Sequence, residues 1–246
     1  MRNILITNDD GWGAPGIRML VEEMKPLGHV IVLAPDGARS GFSNAVTATQ
    51  PITLRKLEQE DRDIEVYVTS GTPSDCIKLA INVVFKGDAG QIDLVVSGIN
   101  HGSNAAVNII YSGTIGACLV AAEHQIPAIG FSIYDNSHEA DLTHMRPYLA
   151  SLTRHLMDEG IRPGICYNIN APTGEIKGIK WTRQCKSHWE KEMKETTLEN
   201  GETGYLLSGY MVNDEPDATD TDEWALSHGY ISIQPCSPDM TYYAAL

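Results

Sequence analysis

Two adjacent carboxylates, Asp9 and Asp10, follow the apolar run NILIT at residues 3–7. Side chains of adjacent strand residues point to opposite faces, but both can face one point where a strand passes into a loop. Two carboxylates about 4–5 Å apart repel by a few kcal/mol at an effective dielectric near 20, and a divalent cation turns this repulsion into attraction. The pair is therefore a candidate site for Mg²⁺ or Mn²⁺. On spacing alone, an Asx turn with a helix cap explains it equally well.

The next segment offers a different chemistry. GWGAPG, residues 11–16, has the G-x-G-x-x-G spacing of a dinucleotide-binding turn, and Asp36 lies twenty positions after Gly16. An NAD-binding oxidoreductase is therefore an alternative hypothesis. A bound diphosphate would meet the charges of both aspartates with nothing between them, so we favour the metal and predict no residues for a dinucleotide cofactor.

Composition limits the partners of this chain. Its 246 residues are enough for one large α/β domain. Lys and Arg total 18 against 32 Asp and Glu, which gives a formal charge of −14. Such a surface repels a nucleic-acid duplex and an anionic membrane, so we expect neither as a partner. A small anionic substrate would need local positive charge from a metal, a helix N-terminus or backbone amides.

The chain also carries indications of its compartment. The N-terminal apolar run is too short for a signal peptide, and no apolar stretch is long enough to span a bilayer. The five cysteines are scattered, odd in number and free of C-x-x-C spacing. Reduced, mostly buried thiols and a cytoplasmic location are the expectation.

Strand-like and helix-like runs alternate from residue 3 to about 156, which predicts an α/β fold. We expect a Rossmann-like, mostly parallel sheet flanked by helices, with a C-terminal β-rich arm. Predicted strands are 3–7, 29–34, 65–69, 92–97 and 127–133, and predicted helices lie near 14–26, 73–86, 113–125 and 139–158. Thr72 and Asp75 have the spacing of a capping box at the start of the second helix.

The composition and periodicity of the sequence change after about residue 165. ICYNINAP, IKGIKWT and GYISIQPC are typical of strands, and TDEWALSHG of a short capped helix. Between them lies a polar stretch with weak periodicity. We therefore divide the chain into a Rossmann-like catalytic core at 1–182, an extended arm at 183–222 that is expected to make oligomer contacts, and a segment at 223–246 that returns to the core.

Polar residues follow each predicted strand, and in a parallel sheet these strand ends meet at the edge where ligands bind. The second loop offers Ser40 and Asn44, and the fourth offers Asn100. Their convergence favours the metal interpretation of the two aspartates. In YSGTIGA, Ser112 and Thr114 lie at a predicted helix start, where backbone amides and the helix dipole can bind phosphate. An ordinary Ser/Thr cap is the alternative.

Five motifs occur in a characteristic order: NDDG, APDGARSG, SGTPSDC, VSGINHGSN and YSGTIGA. Together they resemble the SurE family of stationary-phase survival proteins, most strongly over residues 3–135. The resemblance implies a divalent-metal-dependent phosphatase that acts on nucleoside 5′- and 3′-monophosphates and often on polyphosphate. It also implies a homodimer or homotetramer. A nucleotide-binding regulator that does no chemistry is a further alternative.

The resemblance also implies a role for individual residues. The metal ligands would be Asp9, Asp10, Ser40 and Asn100. The phosphate-binding residues would be Asn44, Ser112, Gly113 and Thr114.

We expect the two aspartates to be catalytic, with Asp9 accepting a proton from the attacking water. A covalent aspartyl-phosphate is an alternative. His101 could contact the leaving group, and Trp12 could stack on a base, although a structural role is at least as good an explanation for each.

Overall fold

The computed structural model describes residues 2–59, 61, 63–135 and 141–245. Its strands are, in chain order, β1 Asn3–Thr7, β2 His29–Pro35, β3 Leu54–Leu57, β4 Ile64–Thr69, β5 Leu94–His101, β6 Ala128–Ile133, β7 Cys166–Ala171, β8 Gly178–Trp181, β9 Ser187–Glu190, β10 Met193–Thr197, β11 Thr203–Leu207, β12 Tyr210–Asn213 and β13 Tyr230–Cys236. Its α-helices are α1 Pro15–Met24, α2 Pro73–Leu79, α3 Gly113–Glu123, α4 Arg146–Glu159 and α5 Asp222–Ser227.

A nine-stranded sheet organises the molecule in the order β3-β4-β2-β1-β5-β6-β7-β13-β8. The central strands from β4 to β7 are all parallel, while β3 and β13 run antiparallel to β4 and β7 respectively. This arrangement confirms the predicted mostly parallel α/β fold. The carboxyl ends of β1, β2, β4, β5 and β6 therefore lie along one edge, where the polar loops begin.

Alternation along β1 explains why the sheet is covered on both faces. Ile4 and Ile6 pack in one apolar cluster with residues of α1 and α4, such as Ile17 and Leu149. Leu5 points the opposite way and packs in a second cluster with residues of α2 and α3. Because successive strand side chains face opposite sides, an uninterrupted apolar strand has to be buried by helices on both.

Several predicted boundaries were wrong. β3 was not predicted, since LRKL alternates too briefly to stand out. The second helix is α-helical only to Leu79 and then widens into a π-helical turn over Ala80–Val84. The fourth begins at Arg146, and residues 139 and 140 of that prediction lie outside the described residues. β5 runs on to His101, so Asn100 belongs to a strand end and not to a loop.

The predicted arm contains two antiparallel pairs of strands. β9 pairs with β12 next to the core, and β10 pairs with β11 farther along the chain. The division of the chain into core, arm and returning segment stays a prediction. Among the described residues, no helix is long and apolar enough to cross a bilayer.

Candidate active site

The turn after β1 is closed by Asn8 and not by the aspartates. The side chain of Asn8 accepts a hydrogen bond from Gly11 N and donates one to Gly11 O, at 3.1 and 3.0 Å. Gly11 has a φ of 92°, a conformation that favours glycine. Ala14 is the N-cap residue of α1, and its side chain makes no capping hydrogen bond. The Asx turn considered from the sequence therefore exists, but it uses neither Asp9 nor Asp10.

Asp9 is a buried carboxylate at the carboxyl edge of the sheet, with only 4% of its surface exposed. Its Oδ1 accepts a hydrogen bond from the Thr114 hydroxyl at 2.6 Å. Burial raises the pKa of Asp9 to about 6; the Thr114 bond opposes this shift, and the charge of Asp10 adds to it. Gly113 lies so close that a Cβ there would be 2.9 Å from Cβ of Asp9. The start of α3 is thus packed directly against this carboxylate.

Asp10 lies beside the end of β5. His101 Nδ1 is 4.0 Å from Asp10 Oδ2. Asn100 donates a hydrogen bond from Nδ2 to Gly102 O at 2.7 Å, which fixes the amide plane. Since this bond uses the amide nitrogen, Oδ1 of Asn100 is the atom that can ligate a cation.

The second loop is attached to Asp9 through the backbone. Arg39 N donates to Asp9 O at 2.6 Å, which brings the neighbouring Ser40 to the same edge. The Arg39 guanidinium pairs with Asp36 at 2.8 Å and donates to Ser70 O at 3.1 Å. Asp36, which the dinucleotide hypothesis assigns to a ribose, is therefore engaged by a neighbouring arginine.

The cap of α3 is Ser112, whose Oγ accepts from Ile115 N at 3.1 Å. Thr114 takes no part in this cap, because its hydroxyl donates to Asp9. Asn44 lies beside the first turn of α3, since a Cβ on Gly116 would be 2.6 Å from Asn44 Oδ1. Asn44 lines a smaller cavity of about 240 Å³ and not the one that Asp9 faces. Its predicted contact with phosphate stays a prediction.

A cavity of about 550 Å³ opens at this edge. Four residues predicted from the sequence line it, namely Asp9, Ser40, Asn100 and Ser112. The other lining residues come from the second loop, from the end of β5 and the stretch after it, and from the arm: Gly41, His101, Gly102, Ser103, Asn104, Asn108, Tyr111, Trp189, Glu192, Leu207, Ser208 and Gly209. No individual residue of the arm was assigned to the site from the sequence.

Buried asparagines on β7 hold the loop that follows β5. Asn170 Oδ1 accepts from Asn104 N at 2.8 Å, and Asn168 Nδ2 donates to Asn104 O at 2.8 Å. Asn104 in turn donates from Nδ2 to Ser132 Oγ at 2.7 Å. These side chains were not assigned a role from sequence. Their signal was polar residues within NINAP, a strand that is otherwise buried.

Three contacts attach the arm to the short 3₁₀ helix at Ala106–Tyr111. Trp189 Nε1 donates to Asn108 Oδ1 at 3.0 Å, and Val107 N donates to Ser187 Oγ at 3.1 Å. Buried Asp222 accepts from both Ala106 N and Cys185 N at 2.8 Å. Trp12, by contrast, packs against the apolar core and does not line the cavity.

The donor set suits a hard divalent cation. Asp9 and Asp10 supply carboxylates, Ser40 a hydroxyl and Asn100 an amide oxygen, and all four types are ligands that Mg²⁺ and Mn²⁺ accept. Within the described residues, no cluster of three or more His, Cys, Asp or Glu side chains could hold a metal. A site here would therefore depend on neutral oxygens and on substrate or water to complete its shell.

Replacing Thr114 by valine is expected to weaken Mn²⁺ binding about tenfold at pH 6.5, with a smaller deficit at pH 8. The Thr114 hydroxyl lowers the pKa of Asp9, so its loss raises that pKa above about 6 and leaves less carboxylate to bind metal. Calorimetric titration with Mn²⁺ at the two pH values measures this. Thr114→Ser is the matched control, since it keeps the hydroxyl. Unchanged Mn²⁺ affinity at pH 6.5 would assign Thr114 to packing alone.

The fold and this site define a Rossmann-like α/β protein with a polar, carboxylate-bearing cavity at the carboxyl edge of its sheet. A family model described as Survival protein SurE matches residues 4–191. The chain therefore belongs to the SurE family, which confirms the resemblance seen in its motifs.

Individual relatives agree with this assignment. The 5′-nucleotidase SurE of Flavobacterium psychrophilum is 42% identical over 246 residues, covering 99% of this chain and 94% of that protein. The 5′-nucleotidase SurE of Christiangramia forsetii is 44% identical over 242 residues, covering 97% and 92%. The crystal structure of the SurE protein from Aquifex aeolicus is similar with a TM-score of 0.83 and 33% identity, covering 99% of this chain and 96% of that one.

Proposed function

We propose that this protein is a divalent-metal-dependent phosphatase that hydrolyses nucleoside 5′-monophosphates to nucleoside and phosphate. The names of its relatives support a 5′-nucleotidase. The observation that carries the proposal is the buried Asp9 carboxylate, which lies beside Asp10 and against the N-terminus of α3 at the wall of a polar cavity. Hydrolysis of 3′-monophosphates and of short polyphosphate belongs to the same proposal, because a terminal phosphoryl group passes to water in each case, from an ester oxygen in the nucleotide and from an anhydride oxygen in polyphosphate.

Different residues of the chain would bind the cation, bind the phosphate and accept a proton. A divalent ion held by Asp9, Asp10, Ser40 and Asn100 would neutralise phosphate charge and lower the pKa of a bound water. The first amides of α3, at Gly113 and Thr114, have no acceptor within the helix and would bind phosphate oxygens. Asp9 would accept the proton of the attacking water, a role open to a carboxylate within hydrogen-bond reach of that water.

Phosphate release from AMP in the presence of Mn²⁺ tests the proposal. 3′-AMP and tripolyphosphate, assayed in parallel, define its range. Calorimetric binding of AMP without any phosphate release would instead support the non-catalytic regulator. Binding of NAD, together with failure to bind AMP, would support the oxidoreductase.

The partners we propose are nucleoside monophosphates and further copies of the same chain, with neither a nucleic-acid duplex nor a membrane. We also propose a cytoplasmic location, in keeping with the five free cysteines. Dimerisation, or assembly to a tetramer, would involve the β10–β11 hairpin. This hairpin exposes large apolar side chains, among them Met193 (65% exposed), Tyr205 (65%) and Leu207 (78%). Clustered exposure of this kind marks interaction surfaces.

Removal of that hairpin is expected to produce a monomer. Ser208 N donates to Glu192 O at 2.8 Å, so a short Gly-Ser turn can replace residues 193–207 between these paired ends. Light scattering of the shortened protein should give the mass of a single chain, while the melting temperature of the core stays near that of the wild type. A wild-type mass near 26.9 kDa, or a shortened protein that still dimerises, would contradict the prediction.

A further inference from the structure

The lining of the 550 Å³ cavity is of two kinds. The carboxyl edge of the sheet contributes the oxygen donors Asp9, Ser40 and Asn100, and the arm and the 3₁₀ helix contribute the aromatic residues Trp189 and Tyr111. A ligand that contacts both kinds of residue would join a group bound through a cation at the oxygen donors to a flat or apolar group.

Trp189 is held in place by hydrogen bonds of its ring and of its strand. Its ring nitrogen donates to Asn108 Oδ1 at 3.0 Å. Its strand, β9, is attached to the same 3₁₀ helix by the bond from Val107 N to Ser187 Oγ. An aromatic ring that is fixed before a ligand arrives costs little conformational entropy on binding, which is the usual property of an aromatic anchor.

We propose that Trp189 is the stacking platform for the base of the nucleotide, with Tyr111 at its edge. The inference rests on the proposed phosphatase function and extends it by naming the residues that recognise the nucleoside. Every base has a π-face, so stacking on one indole contributes to the binding of all nucleotides without selecting among the bases. Stacking on Trp189 would therefore favour nucleotides over phosphate esters that lack a base.

The arm thus has a function in the same subunit. The buried Asp222 carboxylate ties the beginning of the arm, at Cys185 N, to Ala106 N at the start of the 3₁₀ helix. That helix ends at Tyr111, one residue before the Ser112 cap of α3. The 3₁₀ helix to which Trp189 is hydrogen-bonded is therefore continuous in the backbone with the predicted phosphate site.

A comparison of two substrates distinguishes recognition of the base from recognition of the phosphate. AMP and ribose 5-phosphate share the scissile phosphomonoester and the sugar, but only AMP carries a base. Trp189→Ala is expected to lower kcat/KM for AMP at least tenfold, chiefly through KM, and to leave kcat/KM for ribose 5-phosphate within about threefold of wild type. Trp189→Phe should restore most of the AMP activity, because it keeps a π-face while losing the bond to Asn108.

Trp181→Ala is the matched control. Trp181 lies on β8, is 55% exposed and contacts Tyr167 edge-on, away from the cavity. It should leave both substrates unchanged, and circular dichroism of every variant establishes that it is folded. Light scattering of Trp189→Ala establishes whether its oligomeric mass is that of the wild type.

The outcomes separate this inference from the function on which it rests. An equal loss for both substrates, or no loss for AMP, overturns the base platform while leaving the phosphatase intact. If Trp189→Ala lowers kcat/KM equally for both substrates and also changes the oligomeric mass, Trp189 acts in contact with a second copy of the chain and not as a base platform. If the wild type releases phosphate from neither substrate in the presence of Mn²⁺ or Mg²⁺, the proposed function itself fails, and the base platform with it.

Discussion

Replacement of Asp9 by asparagine is expected to lower the turnover of AMP by at least about a hundredfold. The substitution removes one of the two carboxylate charges proposed to hold the cation, and it removes the proposed acceptor for the proton of water. It keeps the shape of the side chain, and the amide oxygen of asparagine can still accept the hydrogen bond from Thr114. Steady-state phosphate release at saturating Mn²⁺ measures the effect.

The same variant is expected to be more stable than the wild type when metal is absent. The pKa of Asp9 is raised from 3.8 to about 6 in the folded protein, mainly by burial. A raised carboxyl pKa means that folding opposes ionisation of Asp9. The resulting loss of folding stability is absent below about pH 4, grows between pH 4 and 6, and is constant above pH 6. With chelator present, Asp9→Asn should therefore melt at a higher temperature than the wild type at pH 7.5 and show little of that gain at pH 4.

Asp36→Asn is the matched control for both measurements. Asp36 is also an aspartate on a loop that follows a strand, but it is paired with Arg39 and does not line the cavity. We expect turnover near that of the wild type and no gain of stability at neutral pH. Near-wild-type turnover in Asp9→Asn would overturn both roles assigned to Asp9. A large loss in Asp36→Asn would show that the ion pair with Arg39 positions the loop that carries Ser40.

Chelation is expected to abolish activity, and Mn²⁺ or Mg²⁺ to restore it. The proposed ligands are all oxygens, and no histidine or cysteine is among them, so hard divalent cations should be the effective ones. Binding of the cation also relieves the repulsion between Asp9 and Asp10. The melting temperature of the wild type should consequently rise when Mn²⁺ is added, and it should rise much less in Asp9→Asn.

The chelation experiment needs two measurements on one sample. Phosphate release from AMP is followed after dialysis against EDTA and again after each cation is returned, and bound metal is quantified by mass spectrometry. Full activity in excess chelator, with no metal detected, would falsify metal dependence. Recovery with Zn²⁺ but with neither Mg²⁺ nor Mn²⁺ would contradict the assigned oxygen ligands.

Local sequence determined those features whose causes lie within a few residues. The capping box that starts α2 forms as predicted, with Thr72 accepting from Asp75 N and Asp75 accepting from Thr72 N. The uninterrupted apolar strands correctly indicated a sheet covered on both faces. Ser112 was correctly placed at a helix start, since a hydroxyl before a glycine and a helical run is a short-range signal. The five ordered motifs were enough to indicate the family.

Tertiary structure decided which side chains meet. The Thr114 hydroxyl reaches Asp9 across 105 positions of sequence, and Asp222 reaches Ala106 across 116. Such contacts depend on the order of strands in the sheet, which no local pattern encodes. The same holds for the raised pKa of Asp9, which is caused mainly by its burial in the folded chain.

The difference is clearest for the two tryptophans and for Asn44. Trp12 follows the aspartates in sequence, yet it is half-buried against the apolar core, while Trp189 lines the cavity from the arm. Asn44 follows Ser40 by four residues, but the second loop turns it toward Gly116 and a different cavity. Spacing along the chain fixed the types of residue available at this edge. Their directions were fixed by the packing of loops against α3 and the arm, because side-chain position there follows from backbone contacts made far away in sequence.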